Sequence, residues 1–494
     1  MPLICVSIAR TRHKMMIAEH HALADRGAQL VELRLDFLQR APDLPRLLND
    51  RPTPVIVTCR RPEDKGRWAG TEESRQMLLR SAIVAGVEYV DLEADIARRI
   101  PRYGKTKRII SLHNFEETPE DLVDLHDKMS RLDPDIIKLA MMANSPGDCV
   151  RMLDLVAHAR IPTVGFCMGE FGQMSRILCG KYGSPFSFAT FSKDRELAPG
   201  QLSFQEMRDV YHFESINAKT AVFAVLGDPV GHSLSPLLHN AAMRSAGYNG
   251  VYVPIRVTAD QFDRTVDELN ELNFRGFSIT IPHKEAALRK FPAAEEIVQT
   301  IGAANTLYRG AGGFWRSENT DYAAALDAIK LLLRDGDTLA GKRVLLLGSG
   351  GVAKAIAFGL ARQGAALVIA SRSQERARSL AESLMCRFTS WENRGSENFD
   401  FLVNCTPVGM HPNVNETPFA QNWLREEMGV FDTIYNPEQT LLLKEAKERG
   451  CRVASGMEMF IRQAAAQFEY FTGKTVSLDN LRETLRKGIS AAKL

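Results

Sequence analysis

Cysteine is scarce in this chain of 494 residues: there are eight, scattered, with no C-x-x-C pair and no Cys/His spacing that suits zinc. That excludes a disulfide scaffold and a structural zinc site, and it suits a reducing cytoplasm. An excess of charge is lacking too, since 62 basic residues against 60 acidic ones leave a formal net charge of +2. A field that weak recruits neither nucleic acid nor an anionic membrane, so any anion binding must be local. No apolar run approaches the roughly 18 residues needed to span a bilayer. The N-terminal MPLICVSIAR enters a strand at once, leaving no room for a signal peptide. Internal repeats and low-complexity tracts are also missing. What remains is 45% apolar and 25% charged, the composition of a soluble globular protein. At this length about two to four domains are expected.

The clearest chemistry lies in Arg343 to Ala370, RVLLLGSGGVAKAIAFGLARQGAALVIA. The apolar run Val344 to Leu347 ends at Gly348-Ser349-Gly350-Gly351, and a helical pattern without proline continues to about Arg362. Strand, glycine turn and helix in that order let backbone approach a pyrophosphate at a helix N-terminus. Gly348, Ser349, Gly350, Gly351, Val352 and Ala353 are therefore candidate dinucleotide contacts. The next apolar run ends in Ser371-Arg372-Ser373, with Arg376 following, where an NAD enzyme places an acid. Arginine with hydroxyl neighbours suits a 2′-phosphate, so NADP is the expected cofactor.

Residues 1 to 216 show eight short apolar runs alternating with helical segments, which predicts a closed (β/α)8 barrel; an open doubly wound sheet is the alternative. Several strands carry charge where a buried parallel strand should be apolar. In Val31 to Asp36 the period of two sets Glu32, Arg34 and Asp36 on one face, and Asp91 with Glu93 repeats the arrangement. Arg60 ends the third strand and Lys138 interrupts the sixth. Such charges must pair with one another or with a polar ligand. Together they point to a site for an anionic, hydroxyl-rich molecule. Lys138, desolvated among cations, is the candidate nucleophile for a ketone. His113, closing the fifth strand, is the candidate proton carrier.

The series E-L-R-L-D, T-C-R, H-N-F-E-E-T-P, I-K-L-A, M-S-R and A-P-G-Q, in that order, resembles the type I 3-dehydroquinate dehydratases across this whole half. The resemblance implies an imine on Lys138 and acid/base work by His113. It implies that Ser7, Glu32, Arg34, Arg60, Arg176 and, in a closing loop, Gln201 bind substrate. A carboxylate orienting the histidine would be Asp64, with Glu63 adjacent. Leu197 stands where the family often has a hydroxyl residue.

After a polar joint at Asn217 to Thr220, a strand leads into a loop carrying Ser233 and Ser235, which can cap a helix or grip a carboxylate. Gly276 to Lys284 is predicted as a strand ending in lysine. Asn305, Thr306 and Asn319 to Asp321 supply polar groups at later strand ends. A Lys and Asp pair suits reduction of a ketone, where a new alkoxide needs a proton. The motifs S-L-S-P, T-I-P-H-K, G-A-A-N-T, N-T-D, G-S-G-G, S-R-S, N-C-T-P-V-G-M and Y-N-P resemble the shikimate dehydrogenases. That resemblance places Ser233, Ser235, Thr280, Asn305, Tyr435 and Gln463 around shikimate, with Lys284 and Asp321 carrying the proton. By the same resemblance Thr406 and Gly456 would border the nicotinamide, and Arg462 departs from the histidine common in the family.

Together the halves resemble the fused 3-dehydroquinate dehydratase and shikimate dehydrogenase enzymes. The implied domains are a barrel at 1–216, a substrate lobe at 217–320 completed by 456–494, and a Rossmann NADP lobe at 321–455. The small-molecule partners are 3-dehydroquinate, 3-dehydroshikimate and shikimate; a homodimer is left open. The competing readings are a catabolic quinate dehydrogenase using NAD and a non-catalytic metabolite sensor on the same folds.

Overall fold

The computed structural model describes residues 1–231, 233–293, 295–310 and 312–491. They form two compact units, Met1–Pro236 with Asn249–Phe274, and Leu237–Tyr248 with the chain from Arg275 onward.

The first unit is built on eight parallel strands: β1 Leu3–Ile8, β2 Leu30–Arg34, β3 Val55–Thr58, β4 Tyr89–Glu93, β5 Lys107–Asn114, β6 Ile136–Met142, β7 Thr163–Met168 and β8 Phe186–Thr190. They pair in the order β7-β6-β5-β4-β3-β2-β1-β8. This is the expected barrel with one difference: among the described residues no ladder joins β7 to β8. Phe166 and Phe188 face each other there with ring centroids 6.0 Å apart, and the Ser187 hydroxyl donates to the Arg176 carbonyl at 2.8 Å. Bulky side chains, not a ladder, fill that part of the wall.

Inward positions follow the period of two. Cys5, Leu30, Ile56, Ile109, Ile136 and Phe186 form an apolar floor. The next inward positions, Ser7, Glu32, Thr58, Asp91, Ser111 and Lys138, are polar and all buried. Register sets Ser7 abreast of Glu32 and Ser111 abreast of Lys138. The charged alternation in the sequence is thus a polar layer stacked on an apolar one at the C-terminal ends of the strands, where barrel sites are built.

The same compact unit runs past residue 216 to include β9 Ala221–Gly227 and β10 Gly250–Arg256, a parallel pair. The joint before β9 is held down: the Lys181 ammonium donates to the carbonyls of Ala218 and Thr220, both at 2.9 Å. Tyr182 donates its hydroxyl to the Leu272 carbonyl at 3.1 Å.

In the second unit β11 Phe274–Ile279, β12 Thr306–Arg309 and β13 Trp315–Glu318 run antiparallel. A separate parallel sheet has β14 Arg343–Leu347, β15 Ala366–Ala370, β16 Arg387–Thr389, β17 Phe401–Asn404, β18 Gly429–Asp432 and β19 Arg452–Ala454, ordered β16-β15-β14-β17-β18-β19. This is the Rossmann order, with its ligand crevice where β14 passes to β17. Leu345 and Leu347 bury on one face and Val344 and Leu346 on the other, as a sheet covered on both sides requires. One expectation fails: β11 stops at Ile279 and does not reach Lys284. Pro282 lacks the N–H needed to extend a ladder, and a turn from His283 N–H to the Thr280 carbonyl (2.9 Å) leads into a helix that Lys284 itself begins. Among the described residues no helix is long and apolar enough to cross a membrane.

Candidate active sites

Two constellations stand out, one in each unit. In the barrel, Lys138 projects from β6 with its Nζ 3.0 Å from Asp91 Oδ2 and 3.9 Å from Glu32 Oε1. It also lies 4.1 Å from the centroid of the Phe188 ring. Its nearest charged neighbours are therefore carboxylates rather than the cations expected from the sequence. The strands interleave opposite charges because each buried charge must be met by its neighbour. Glu32 accepts from Ser7 at 2.6 Å and Thr58 at 2.8 Å. Burial raises the Asp91 carboxyl, but Arg60 and Lys138, helped by the hydrogen bond from the Ser111 hydroxyl, outweigh it and hold the group well below the usual carboxylate range.

Arg60 is consumed by this network, donating to Asp91 at 2.8 Å and Glu93 at 2.7 Å. Arg34 forms a two-bond fork with Asp36 at 2.9 and 2.8 Å. Arg176 differs. It is 1% exposed, its guanidinium lies 4.4 Å from the Phe166 ring centroid, and its Nε has no hydrogen-bond partner among the described residues. No carboxylate pairs with it among the described residues, and burial lowers its pKa to about 10. Phe166 and Phe188, packed together, thus carry an unpaired guanidinium and the lysine amine on one aromatic platform.

His113 stacks on Phe115, and its buried Nδ1 has no hydrogen-bond partner among the described residues. Burial pushes its pKa well below the ordinary value, Arg60 and Lys138 push the same way, and Asp91 opposes them. The imidazole is therefore neutral and able to accept a proton. The structure does not bring the expected carboxylate to it: Asp64 is held by Arg61 at 2.6 Å, and Glu63 is exposed. Two residues after the charged strand end, the chain turns through Pro62–Asp64, and the adjacent guanidinium is simply the nearer partner. Gln201 is occupied by its own loop, its carboxamide oxygen accepting from Leu197 N–H at 3.2 Å.

In the second unit, antiparallel pairing gathers the end of β11, the start of β12 and the end of β13. There Lys284 Nζ lies 2.5 Å from Asp321 Oδ2. The pair is framed by short-range bonds. Ala304 N–H donates to the Lys284 carbonyl at 2.9 Å, and Asn319 Oδ1 accepts from Asp321 N–H at 3.0 Å. Asn305, expected around the substrate, uses its carboxamide on Thr320 N–H (2.8 Å), Thr320 Oγ1 (3.0 Å) and Thr306 Oγ1 (2.8 Å). It braces the frame. Gln463 folds back to the Phe460 carbonyl at 3.1 Å, whereas Tyr435 stacks on the Phe460 ring at 4.3 Å and burial raises its hydroxyl pKa. Thr280 is half-buried beside this frame. Ser233 and Ser235 stand in the first unit at the start of the helix Ser235–Ser245, with Ser235 N–H donating to Ser233 Oγ at 3.2 Å.

The glycine turn fits a dinucleotide. Gly348 has φ +116°, and a Cβ there would meet the Cys405 carbonyl oxygen at 3.1 Å, so only glycine makes the turn without strain. A Cβ on Gly350, the residue before the helix Gly351–Arg362, would meet nothing within 4 Å, leaving an open cradle at a helix N-terminus. Gly351 faces Lys284, whose Cδ would be 3.9 Å from an added Cβ. Ser349 and Ser371 hydroxyls meet at 3.0 Å, Val352 is half-buried and Ala353 is fully buried. Arg372, Ser373 and Arg376 are exposed, and neither arginine pairs with a carboxylate among the described residues. Thr406 bonds Asn404 Oδ1 through N–H and hydroxyl at 3.0 and 2.7 Å. Gly456 is required by the chain itself, since a Cβ there would lie 2.2 Å from the Thr433 carbonyl oxygen.

The chain matches known families over most of its length. The model for type I 3-dehydroquinase matches residues 4–218, that for the shikimate dehydrogenase substrate binding domain 225–307, and that for the shikimate 5′-dehydrogenase C-terminal domain 456–486. Residues 343–426 match a model described as NADP oxidoreductase, coenzyme F420-dependent. The chloroplastic bifunctional 3-dehydroquinate dehydratase/shikimate dehydrogenase of Arabidopsis thaliana is 39% identical over 496 residues, covering 95% of this chain and 82% of that protein. The chain belongs to the bifunctional 3-dehydroquinate dehydratase/shikimate dehydrogenase family. A shikimate dehydrogenase (NADP(+)) of Caldanaerobacter subterraneus is 37% identical over 55% of this chain and 98% of its own length. The solved Thermus thermophilus shikimate dehydrogenase in complex with NADP(H) and shikimate is 34% identical with TM-score 0.50, covering 54% of this chain and 99% of that one.

Three residues of this bifunctional enzyme escaped the sequence reading. Arg75, fully buried, reaches Glu93 at 2.9 Å and the Cys59 carbonyl at 2.7 Å, giving Glu93 a second cation beside Arg60. Glu19, also buried, accepts from Arg10 and from Arg195 (2.9 Å), tying together the loops that follow β1 and β8. Gln467 bonds Ser278 at 2.7 Å, and the Asn305 carbonyl and Thr306 hydroxyl at 3.0 Å each. None of the three follows strand periodicity, so the sequence carried no local signal for them.

The neutral His113 has a measurable consequence. Its ordinary pKa of 6.5 applies to the unfolded chain, which therefore binds more protons than the folded one below that pH. Stability should fall as pH drops through 6.5 and stop responding to this residue only below the depressed folded value. The acid limb of dehydratase kcat/KM should likewise lie below pH 6.5. A limb at or above that value, lost in His113→Asn, would count against this environment.

Proposed function

We propose that the chain catalyses two consecutive reactions, dehydration of 3-dehydroquinate to 3-dehydroshikimate at Lys138 and reduction of 3-dehydroshikimate to shikimate at Lys284 and Asp321. The domains are the barrel at 1–216, a substrate lobe at 217–320 with 456–494, and the NADP lobe at 321–455. The observation that carries the first activity is Arg176, a buried guanidinium without a carboxylate, on the same aromatic platform as the lysine amine. A buried cation is stable only with a counter-anion or at some cost, and a substrate carboxylate supplies one.

In this reading Lys138 adds to the substrate ketone and water leaves as the imine forms. Neutral His113 takes the α-proton, then returns it to the hydroxyl that departs as water; hydrolysis of the imine restores the amine. Ser7, Glu32, Arg34 and Arg60 shape the polar side of the pocket above the apolar floor, and Gln201 closes over it once released by Leu197. In the second activity Lys284 gives a proton to the new alkoxide while Asp321 holds the ammonium in place. Thr280, Tyr435, Gln463, Ser233 and Ser235 bind the hydroxyls and carboxylate of shikimate. NADP would be held by Gly348 to Ala353 and by Ser371 to Ser373 with Arg376, and bordered by Thr406 and Gly456. When bound, its reduced form supplies the hydride.

Borohydride reduction in the presence of 3-dehydroquinate should trap substrate on Lys138; a label on another lysine, or none, would overturn the first assignment. Arg372→Ala should raise the KM for NADPH about 10- to 100-fold, the value of one charged hydrogen bond to phosphate, while leaving NADH use little changed. Equal effects on both cofactors would favour the quinate and NAD reading. Eight free cysteines, most of them buried, suit a reducing compartment, and we read it as cytoplasmic; the Arabidopsis relative is named as chloroplastic.

A further inference from the structure

Arg256 ends β10, outside the barrel, abreast of Gly227 at the end of β9. Its guanidinium serves three groups. Nε donates to Asp228 Oδ1 at 2.8 Å, a terminal nitrogen donates to Glu170 Oε2 at 2.5 Å, and the plane lies 5.1 Å from the centroid of the Phe171 ring. Glu170 and Phe171 belong to the loop after β7. Asp228 opens the loop after β9 that leads to Ser233 and Ser235.

The β7 loop is a pivotal part of the barrel mouth. Gly169 N–H donates to the Pro199 carbonyl at 2.9 Å, and the Arg176 guanidinium reaches the same carbonyl at 3.4 Å. Gly200 packs so closely that a Cβ on it would lie 2.4 Å from the Gly169 carbonyl oxygen. Whatever fixes Glu170 and Phe171 therefore fixes the segment from which Gln201 extends and the helix Gln173–Leu178 that carries Arg176. The neighbouring packing is equally close: a Cβ on Gly147, which follows Pro146 at the start of a barrel helix, would meet the Glu268 carboxylate at 2.8 Å.

We propose that Arg256 is a positioning residue for the dehydratase, supplied by the dehydrogenase half, which sets the β7 loop and thereby the substrate-closing segment. The same guanidinium holds Asp228, so it anchors the loop of the shikimate serines from its other edge. The inference rests on the assignment of Arg176 and Gln201 as substrate contacts. An ion pair this exposed adds little to stability; its role is geometric, because arginine offers a planar fork that lysine lacks.

The test uses the full chain. Glu170→Gln, at a largely exposed position that poses no risk to folding, should raise the KM for 3-dehydroquinate about three- to tenfold with kcat nearly unchanged. It should leave shikimate oxidation alone. Arg256→Ala should reproduce that shift and also raise the KM for shikimate, Arg256→Lys should restore it only in part, and the Glu170→Gln/Arg256→Ala pair should be no worse for the dehydratase than Arg256→Ala. An unchanged dehydratase KM in both single variants, or additive losses in the pair, would overturn the proposal. Borohydride trapping on Lys138 in the same preparations separates the outcomes. Retained trapping with unchanged KM sinks the role of Arg256 alone, whereas no trapping in the unaltered chain sinks the assignment beneath it.

Discussion

Lys138→Ala should lower dehydratase turnover by on the order of 10⁴-fold or more, the scale seen when a covalent nucleophile is removed, and leave shikimate oxidation unchanged. The size follows from the absence of a substitute. Among the described residues no other amine shares the polar layer of Ser7, Glu32, Thr58, Asp91 and Ser111, so no neighbour there can form the imine. Asp91 keeps Arg60 at 2.8 Å and Ser111 at 2.6 Å when the lysine is gone, which spares the fold the cost of a fully orphaned carboxylate. The dehydrogenase assay on the same sample is the internal control for folding. Appreciable dehydratase turnover by Lys138→Ala, beside a normal dehydrogenase, would refute the covalent mechanism.

Lys284→Ala should reduce shikimate oxidation about 10²- to 10⁴-fold, the usual weight of a positioned proton carrier, with the dehydratase intact. The loss should fall on kcat more than on the KM for shikimate, because the ammonium acts on charge that develops only as the reaction proceeds. Asp321→Asn keeps a hydrogen-bond acceptor but removes the charge that holds Lys284 at 2.5 Å, so its effect should be of the same kind. The double variant should lose much less than the product of the two, since both remove one working pair. Steady-state kinetics of the four forms decides it. Independent, multiplicative losses would mean that the two residues do separate work.

The barrel and the nucleotide fold were both readable from the chain because strand periodicity and glycine conformation are local properties. Glu32 within β2 announced an inward polar face before any neighbour was known, although β2 ends at Arg34 and Asp36 falls in the 3₁₀ turn Leu35–Phe37 rather than on the strand; Gly348 announced a turn that a Cβ would obstruct. Charge partners were less readable. Lys138 was expected among cations and lies between two carboxylates; Asp64 was expected at His113 and went to Arg61. Coulomb energy depends on distances between strands far apart in sequence, so a one-strand view cannot assign who pairs with whom.

The sequence alone determined the alternation of strands and helices in the barrel, the polar layer on the inward positions, the dinucleotide turn with an arginine in place of an acid, and the residue types able to do the chemistry. Only the tertiary structure decided that Lys284 begins a helix and meets Asp321, that Arg176 has no carboxylate partner among the described residues while Arg60 is spent on Asp91 and Glu93, and that Arg256 reaches across to Glu170. The reason is physical: backbone preference and side-chain periodicity act over a few neighbouring residues, whereas burial and charge pairing are properties of the assembled fold.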